Sequence, residues 1–179
     1  MRKLIVQEFV TIDGYFAGPA GEIDWHVPDE EYGEYAENFL RSVDALLFGR
    51  VTYELLAGYW PTATDSIADL MNAIPKFVFS KTLTEAGWQN TKLVKENIAQ
   101  EINRLKLQPG KNLAVLGSAE LVSHLLNEGL VDEFQLTVAP VILGGGKPLF
   151  KDIDHRVNMR LLHTRTLRSG CVQLSCQPE

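Results

Sequence analysis

Two segments of this chain place a glycine directly between a buried strand and an amphipathic helix. The first is ALLFGRVTYELL, residues 45–56, and the second is NLAVLGSAELVSHLL, residues 112–126. The apolar runs before Gly49 and Gly117 are typical of strands buried on both faces, and the residues after them are apolar every three or four positions. Parallel strands need helical crossovers, so two such units favour an α/β sheet whose strands are mostly parallel.

The rest of the chain continues this alternation and ends in a hairpin. Asp29, Glu30 and Glu31 crowd the start of one predicted helix, where the helix dipole favours carboxylates. The side chain of Ser118 is predicted to cap the helix after Gly117. Further strands are predicted at residues 4–10, 76–80 and 133–140, helices at 32–43, 66–74 and 97–107, and an antiparallel hairpin at 159–168 and 171–177.

Length and charge exclude several classes of protein. The 179 residues, 45% hydrophobic and 22% charged, are expected to form one domain over residues 1–179. A net charge of -6 argues against a nucleic-acid or anionic-membrane surface, which needs clustered Lys and Arg. No apolar stretch is long enough to cross a bilayer. The expected partner is a small molecule.

The N-terminus and the cysteines predict a cytoplasmic protein. Gln7 and Glu8 interrupt the first apolar run before it reaches the length of a signal-peptide core. Cys171 and Cys176 lie in one predicted strand, about 16 Å apart, which is too far for a disulfide. A reducing compartment follows. No metal site is expected, because the four histidines show no metal-ligand spacing.

The two strand–glycine–helix junctions resemble anion sites. A helix that starts at the carboxyl end of a parallel strand offers unpaired N–H groups and a positive dipole. Arg50 and Thr52 follow Gly49 and supply a guanidinium and a hydroxyl, while Ser80 and Lys81 follow a third strand. Ordinary tight turns and a solvated arginine also explain this pattern. The occurrence of two junctions in one chain favours the anion site.

Several segments in order resemble one known family. LLFGRVTYE, FVFSKTL, LAVLGSAELVSHLL and VDEFQLTVAPVILGGGKPLF, together with TIDGYFAGP near the start, are similar to the riboflavin-biosynthesis reductase (RibD C-terminal) domain family. The resemblance spans nearly the whole chain. It implies a dihydrofolate reductase-like fold that binds NADPH, and a homodimer formed through PVILGGGKPLF and the strand before it.

The resemblance also implies which residues contact the cofactor. The pyrophosphate would lie between the two helix starts, and the 2′-phosphate would meet Arg50, Ser80 and Lys81. Glycines in the LGGGK segment would let the chain pass close to cofactor or substrate. The implied cofactor-binding residues are Gly49, Arg50, Thr52, Ser80, Lys81, Gly117, Ser118, Ala119, Glu120, Gly144 and Gly145.

Two carboxylates are catalytic candidates. DWHVPDEE is similar to the dihydrofolate reductase segment that supplies the substrate carboxylate, and the similarity places Glu30 at that position. Asp13, in the turn after the first strand, would lie near the nicotinamide pocket. A helix-stabilising role for Glu30, Asp29 or Glu31 as the catalytic carboxylate in its place, and an ordinary Asp-Gly turn at Asp13 remain alternatives.

The predicted function is an NADPH-dependent reductase that transfers a hydride to a small heterocycle of the ribosylaminopyrimidine or dihydropteridine type. The alternatives are a non-catalytic nucleotide-binding protein that retains the fold, and an enzyme that uses another cofactor in the same cleft. The latter would leave Arg50 without a 2′-phosphate to contact.

Overall fold

The computed structural model describes all residues, Met1–Glu179, as ten strands, five α-helices and one short 3-10 helix at Trp60–Thr62. The strands are β1 Leu4–Thr11, β2 Tyr15–Ala17, β3 Val43–Gly49, β4 Lys76–Phe79, β5 Thr91–Val94, β6 Asn112–Leu116, β7 Glu133–Ala139, β8 Lys147–Pro148, β9 Met159–Thr166 and β10 Val172–Pro178. The helices are α1 Glu30–Ser42, α2 Arg50–Ala57, α3 Ser66–Ala73, α4 Ile98–Leu107 and α5 Ala119–Asn127.

Eight strands form one sheet in the order β5-β4-β3-β6-β1-β7-β10-β9. The first six in this order are parallel to their neighbours, and β10 and β9 complete the sheet as an antiparallel pair. The small strands β2 and β8 pair separately. This topology confirms the predicted mostly parallel sheet with a C-terminal hairpin.

Each face of the sheet packs against a different set of helices through apolar side chains. On one face Val6 and Val115 pack with residues of α4 and α5, such as Ile102 and Leu125. On the other face, Leu46 and its neighbours pack with residues of α1, α2 and α3. Because the central parallel strands are covered on both sides, their sequences are almost continuously apolar.

Three short strands do not follow from the sequence pattern. β2 and β8 span three and two residues inside glycine-rich segments, and tertiary pairing between them, rather than alternation, makes them strands. β5, with sequence TKLV, is an edge strand that pairs only with β4. Its polar residues are tolerated because the outer edge faces solvent.

β9 lies at the other edge of the sheet, and all eight of its residues are exposed. Met159, Leu161 and Leu162 are among the exposed large apolar residues there, and Ile142 and Phe150 are exposed in the PVILGGGKPLF segment. The homodimer stays a prediction. None of the five helices combines the length and apolarity needed to span a bilayer.

Candidate active site

The candidate site lies at the carboxyl ends of two neighbouring strands, β3 and β6. The chain leaves β3 for α2, which packs on one face of the sheet through Tyr53, and leaves β6 for α5, which packs on the other face through Leu121. Helices that depart to opposite faces open a crevice at the strand ends, and ligands of open α/β sheets bind in such crevices.

The backbone at the start of α2 and α5 has no side-chain cap. Asp29 caps α1 and Asp65 caps α3, each by accepting a backbone N–H three residues further on at 2.8 Å. Gly49 and Ser118 occupy the equivalent positions of α2 and α5 and supply no cap, and Asn97 likewise leaves α4 uncapped. First-turn N–H groups without an acceptor are available to an anion.

Ser118 joins the two junctions. Its φ is 68°, and its Oγ accepts a hydrogen bond from the Gly49 N–H at 2.8 Å. The prediction that this side chain caps α5 is therefore wrong, because the oxygen bonds to the neighbouring junction. Gly117 packs equally closely: a Cβ at this position would lie 2.7 Å from the Thr52 methyl group. We call residues 49–52 and 117–120 the paired helix starts.

A cavity of about 1070 Å³ opens at the paired helix starts. Small-molecule sites commonly have ~300 to 1,000 Å³, so this cavity is large for a single small ligand. Its lining includes nine of the predicted cofactor-binding residues, namely Gly49, Arg50, Thr52, Ser80, Lys81, Gly117, Ser118, Ala119 and Glu120.

The charged side chains of this group differ in their present partners. Arg50 donates to the Glu54 carboxylate at 2.9 Å, and both side chains are about half exposed. An exposed pair of this kind contributes little to stability, so a phosphate can displace the carboxylate. Lys81 forms no ion pair, whereas Glu120 pairs with Lys151 at 3.3 Å. Lys147, which also lines the cavity, forms no ion pair either, so Lys81 is one of two lining lysines that are free to meet an anion.

Ser80 shapes the turn after β4. Its Oγ accepts backbone N–H bonds from Thr82 and Leu83 at 3.2 and 3.0 Å. Lys81 lies within the turn that these bonds close and lines the cavity. The hydroxyl thus positions the neighbouring cation, in addition to lining the cavity itself.

Gly144 and Gly145 do not line the cavity, whereas Gly146 and Lys147 do. At Gly146 a Cβ would collide with the Ala17 carbonyl oxygen, so only glycine allows β8 to approach β2 there. Of the three glycines in this segment, only the last, Gly146, forms part of the cavity wall.

Asp13 lies outside the cavity lining and holds two loops together. Its carboxylate accepts hydrogen bonds from the Thr11 hydroxyl at 2.7 Å and from the Gly144 and Leu143 N–H groups at 2.8 and 3.3 Å. The Thr11 bond, followed by these backbone bonds, lowers the pKa of Asp13. This exposed carboxylate is ionised at neutral pH and fastens the β1–β2 turn to the loop after β7.

Glu30 is exposed in the first turn of α1 and does not line the cavity. Its neighbours attach the helix to the β9–β10 turn: Asp29 accepts the Ser169 N–H at 2.9 Å and Glu31 accepts the Arg168 N–H at 2.7 Å. The acidic start of α1 therefore anchors the hairpin, and none of its three carboxylates lines the cavity.

Glu8, which the sequence reading used only as a break in an apolar run, lies in the cavity lining together with Gln7, His26 and Tyr32. Glu8 is only 9% exposed. Burial raises the pKa of its carboxyl to about 8, although the Phe9 and Gly117 amides act in the opposite direction. A lone acidic residue in the apolar strand LIVQEFVT was the signal that could have identified it, because buried carboxylates are rare without a function.

Comparisons with known proteins now decide the family. A family model described as the RibD C-terminal domain matches residues 2–173. This chain belongs to the RibD C-terminal domain family. It is 39% identical over 178 residues to the Bacillus subtilis (strain 168) uncharacterized protein YyaP, with 97% of this chain and 93% of YyaP covered. It is 31% identical to YwjB of the same organism, with 92% and 91% covered.

Solved structures agree with this family. The fold is similar to that of a putative riboflavin biosynthesis protein from Shewanella sp. PV-4, with a TM-score of 0.81, 27% identity and 99% of both chains covered. A Thermotoga maritima bifunctional deaminase/reductase shares the fold at a TM-score of 0.70 and 13% identity, with 99% of this chain matching 57% of that one. The family match and these structures agree with the predicted dihydrofolate reductase-like fold.

Proposed function

We propose that this RibD C-terminal domain protein is an NADPH-dependent reductase that acts on a small heterocycle. The observation that carries the proposal is the pair of uncapped helix starts, fastened together by the Ser118–Gly49 hydrogen bond and opening into one cavity. Two such starts provide N–H donors for both phosphates of a pyrophosphate.

The residues present fit a phosphorylated dinucleotide. The N–H groups in the first turns of α2 and α5 would hold the pyrophosphate. The missing Cβ atom of Gly117 leaves room for the Thr52 side chain, so the two helix starts lie close together. Arg50 and Lys81 would hold the 2′-phosphate, with Ser80 positioning Lys81. When bound, the reduced nicotinamide supplies a hydride to an acceptor molecule.

The remaining cavity wall suits a ring substrate. Phe16, Ile23, Leu56 and Trp60 line it, and such side chains exclude water and stack on or against planar groups. A cavity this large holds more than the nucleotide end of a cofactor. Space for a second molecule favours a working enzyme over a protein that only binds nucleotide.

The direct test is titration of the purified protein with NADPH and with NADH, followed by quenching of tryptophan fluorescence. We expect micromolar binding with a clear preference for NADPH. Arg50→Ala should weaken NADPH by ~1.5 to 3 kcal/mol, about 10- to 150-fold, because one charge-assisted contact is lost. NADH, which lacks the 2′-phosphate, should be affected far less.

Arg41→Ala is the matched control. Arg41 forms the same i,i+4 ion pair, with Glu37, in α1, and is also largely exposed, yet it lies outside the cavity. This variant should bind both cofactors as the unmodified protein does. Equal losses for NADPH and NADH in Arg50→Ala would contradict the selectivity, and binding of neither cofactor by the unmodified protein would contradict the proposed reductase.

A further inference from the structure

Glu8 is a buried carboxyl that the proposed cofactor contacts leave unused. It lies on the central strand β1, one residue beyond the last registered pair with β6, Gln7–Leu116. There β6 ends and the chain turns away through Gly117, and the buried Glu8 side chain lines the cavity. Its Oε2 is buried and has no hydrogen-bond partner. Burying an unpaired polar atom costs free energy, so a ligand that pairs with it gains affinity.

A small recess lies beside this carboxyl. It has a volume of about 140 Å³, and its polar lining residues are Gln7, Glu8, His26 and Tyr32. The same four residues line the large cavity, so the recess is a side chamber of that cavity. A cavity of ~150 Å³ accommodates benzene, which makes the recess the size of one six-membered ring.

His26 gives the recess a second unmatched polar atom. Its ring stacks on Phe9 with centroids 4.6 Å apart and meets the Trp25 ring edge-on at 4.3 Å, while its Nε2 is buried without a partner. Tyr32 and Gln7 by contrast satisfy each other, since the Gln7 amide donates to the Tyr32 hydroxyl at 3.1 Å. Glu8 Oε2 and His26 Nε2, from two separate segments of the chain, therefore both lack a hydrogen-bond partner in the same recess.

The charge of the groups that line the recess limits which ligands can bind there. Burial raises the pKa of Glu8 to about 8 and lowers that of His26 to about 4, so both are uncharged at neutral pH. The third titratable group facing Glu8, Tyr32 from α1, is also uncharged because burial raises its pKa to about 12. No Lys or Arg lines the recess. A phosphate or carboxylate would find no counter-charge there.

We propose that the recess receives the polar edge of an uncharged nitrogen heterocycle, with Glu8 as the hydrogen-bond donor and proton source to a ring nitrogen and His26 as its second polar contact. This inference rests on the proposed reductase function and names the substrate class of that site. It also assigns the proton donor to Glu8, which neither Glu30 nor Asp13 can replace from outside the cavity lining.

The proposed step balances in electrons and protons. A hydride, which a bound reduced nicotinamide dinucleotide would supply, would add to the carbon of a ring C=N bond and form a new C–H bond. The π pair of that C=N bond moves to nitrogen, where an N–H bond forms as the Glu8 O–H bond breaks. The Glu8 carboxylate regains a proton from solvent, and the oxidised dinucleotide leaves.

The test measures binding, so that it stands apart from turnover. 4-Quinazolinone, an uncharged heterocycle with a lactam edge, is titrated into the NADPH-saturated protein by calorimetry, below and above the pKa of Glu8. Naphthalene is the matched ligand without a polar edge. We expect quinazolinone to bind at least ~10-fold more weakly above that pKa, since the ionised carboxyl loses its donor.

Variants at Glu8 separate this role from a structural one. Glu8→Gln keeps a donor that does not titrate, so quinazolinone binding should persist and become independent of pH. Glu8→Leu should weaken it at least ~10-fold at every pH. Glu30→Gln, on the surface, should behave as the unmodified protein. Melting curves and NADPH titrations of each variant check that it is folded and loaded.

Three results would overturn the inference. They are a lack of quinazolinone binding, binding equal to that of naphthalene, and a pH dependence that survives in Glu8→Gln. If the proteins bind NADPH in those cases, only the recess assignment fails. If the unmodified protein binds no NADPH, the proposed reductase fails first, and the two failures are thereby distinguished.

Discussion

The two ends of the cavity recognise ligands by different means. At the paired helix starts the donors are backbone N–H groups, and the residues that matter are small ones, Gly49, Gly117 and Ser118. At the recess the polar groups are side chains, Glu8 and His26, brought from different elements and buried. Backbone donors suit phosphates, which occur in many cofactors, whereas buried side chains select one substrate shape.

The largest effect is expected from breaking the helix starts themselves. Gly117→Val should abolish NADPH binding and lower the melting temperature, because φ is 61° there and a Cβ would lie 2.7 Å from the Thr52 side chain. A left-handed non-glycine residue alone costs ~1 to 3 kcal/mol. Fluorescence titration and thermal melting measure both losses.

Gly33→Ala is the control for this substitution. Gly33 lies in α1 with open space around it and an ordinary φ, so alanine should leave NADPH binding unchanged and stabilise the helix by up to ~1 kcal/mol. Undiminished NADPH binding by a folded Gly117→Val protein would show that the paired helix starts do not hold the cofactor.

An effect of intermediate size is expected from Glu8, whose titration makes the free energy of unfolding depend on pH. Between about 4.5 and about 8 the native Glu8 keeps a proton that the unfolded chain releases. The free energy of unfolding therefore falls as pH rises through this window, by a few kcal/mol from this group. The Gln side chain of Glu8→Gln does not titrate. The free energy of unfolding of this variant, relative to that of the unmodified protein, should therefore increase up to about pH 8 and then stay constant.

Urea unfolding at a series of pH values measures this difference. His26 titrates between about 4 and 6.5 with the opposite sign, but it contributes to both proteins and cancels in the comparison. Parallel stability curves for the two proteins would mean that Glu8 is ionised in the native state, and the recess would then suit a cation.

The smallest effect concerns the link between the two junctions. Ser118→Ala removes the oxygen that accepts the Gly49 N–H, and should cost ~0.5 to 1.5 kcal/mol of stability together with a few-fold loss of NADPH affinity. Ser66→Ala, which removes an exposed hydroxyl that bonds to Glu37, should change neither. Stability loss with unchanged affinity would reduce Ser118 to a packing role.

The sequence predicted the site most accurately where the pattern lies within one short segment. The apolar run, the glycine and the helical spacing around Gly49 and Gly117 are contiguous, and the structure brings both junctions into one crevice. The turn after the first strand predicts a catalytic Asp13, and a short similarity to a dihydrofolate reductase segment predicts a catalytic Glu30, yet each lies outside the cavity lining. Neighbourhood along the chain does not report which way a side chain points.

The sequence by itself determined the alternating α/β order, the terminal hairpin and the two strand–glycine–helix junctions, because strand burial, helical period and the positions of glycines are encoded within a few residues of one another. Tertiary structure alone decided that Ser118 bonds to Gly49, that Asp13 fastens two loops, and that Glu8 meets His26 in a recess. Those contacts join residues distant in sequence, and which of them are buried together depends on how the whole sheet is ordered.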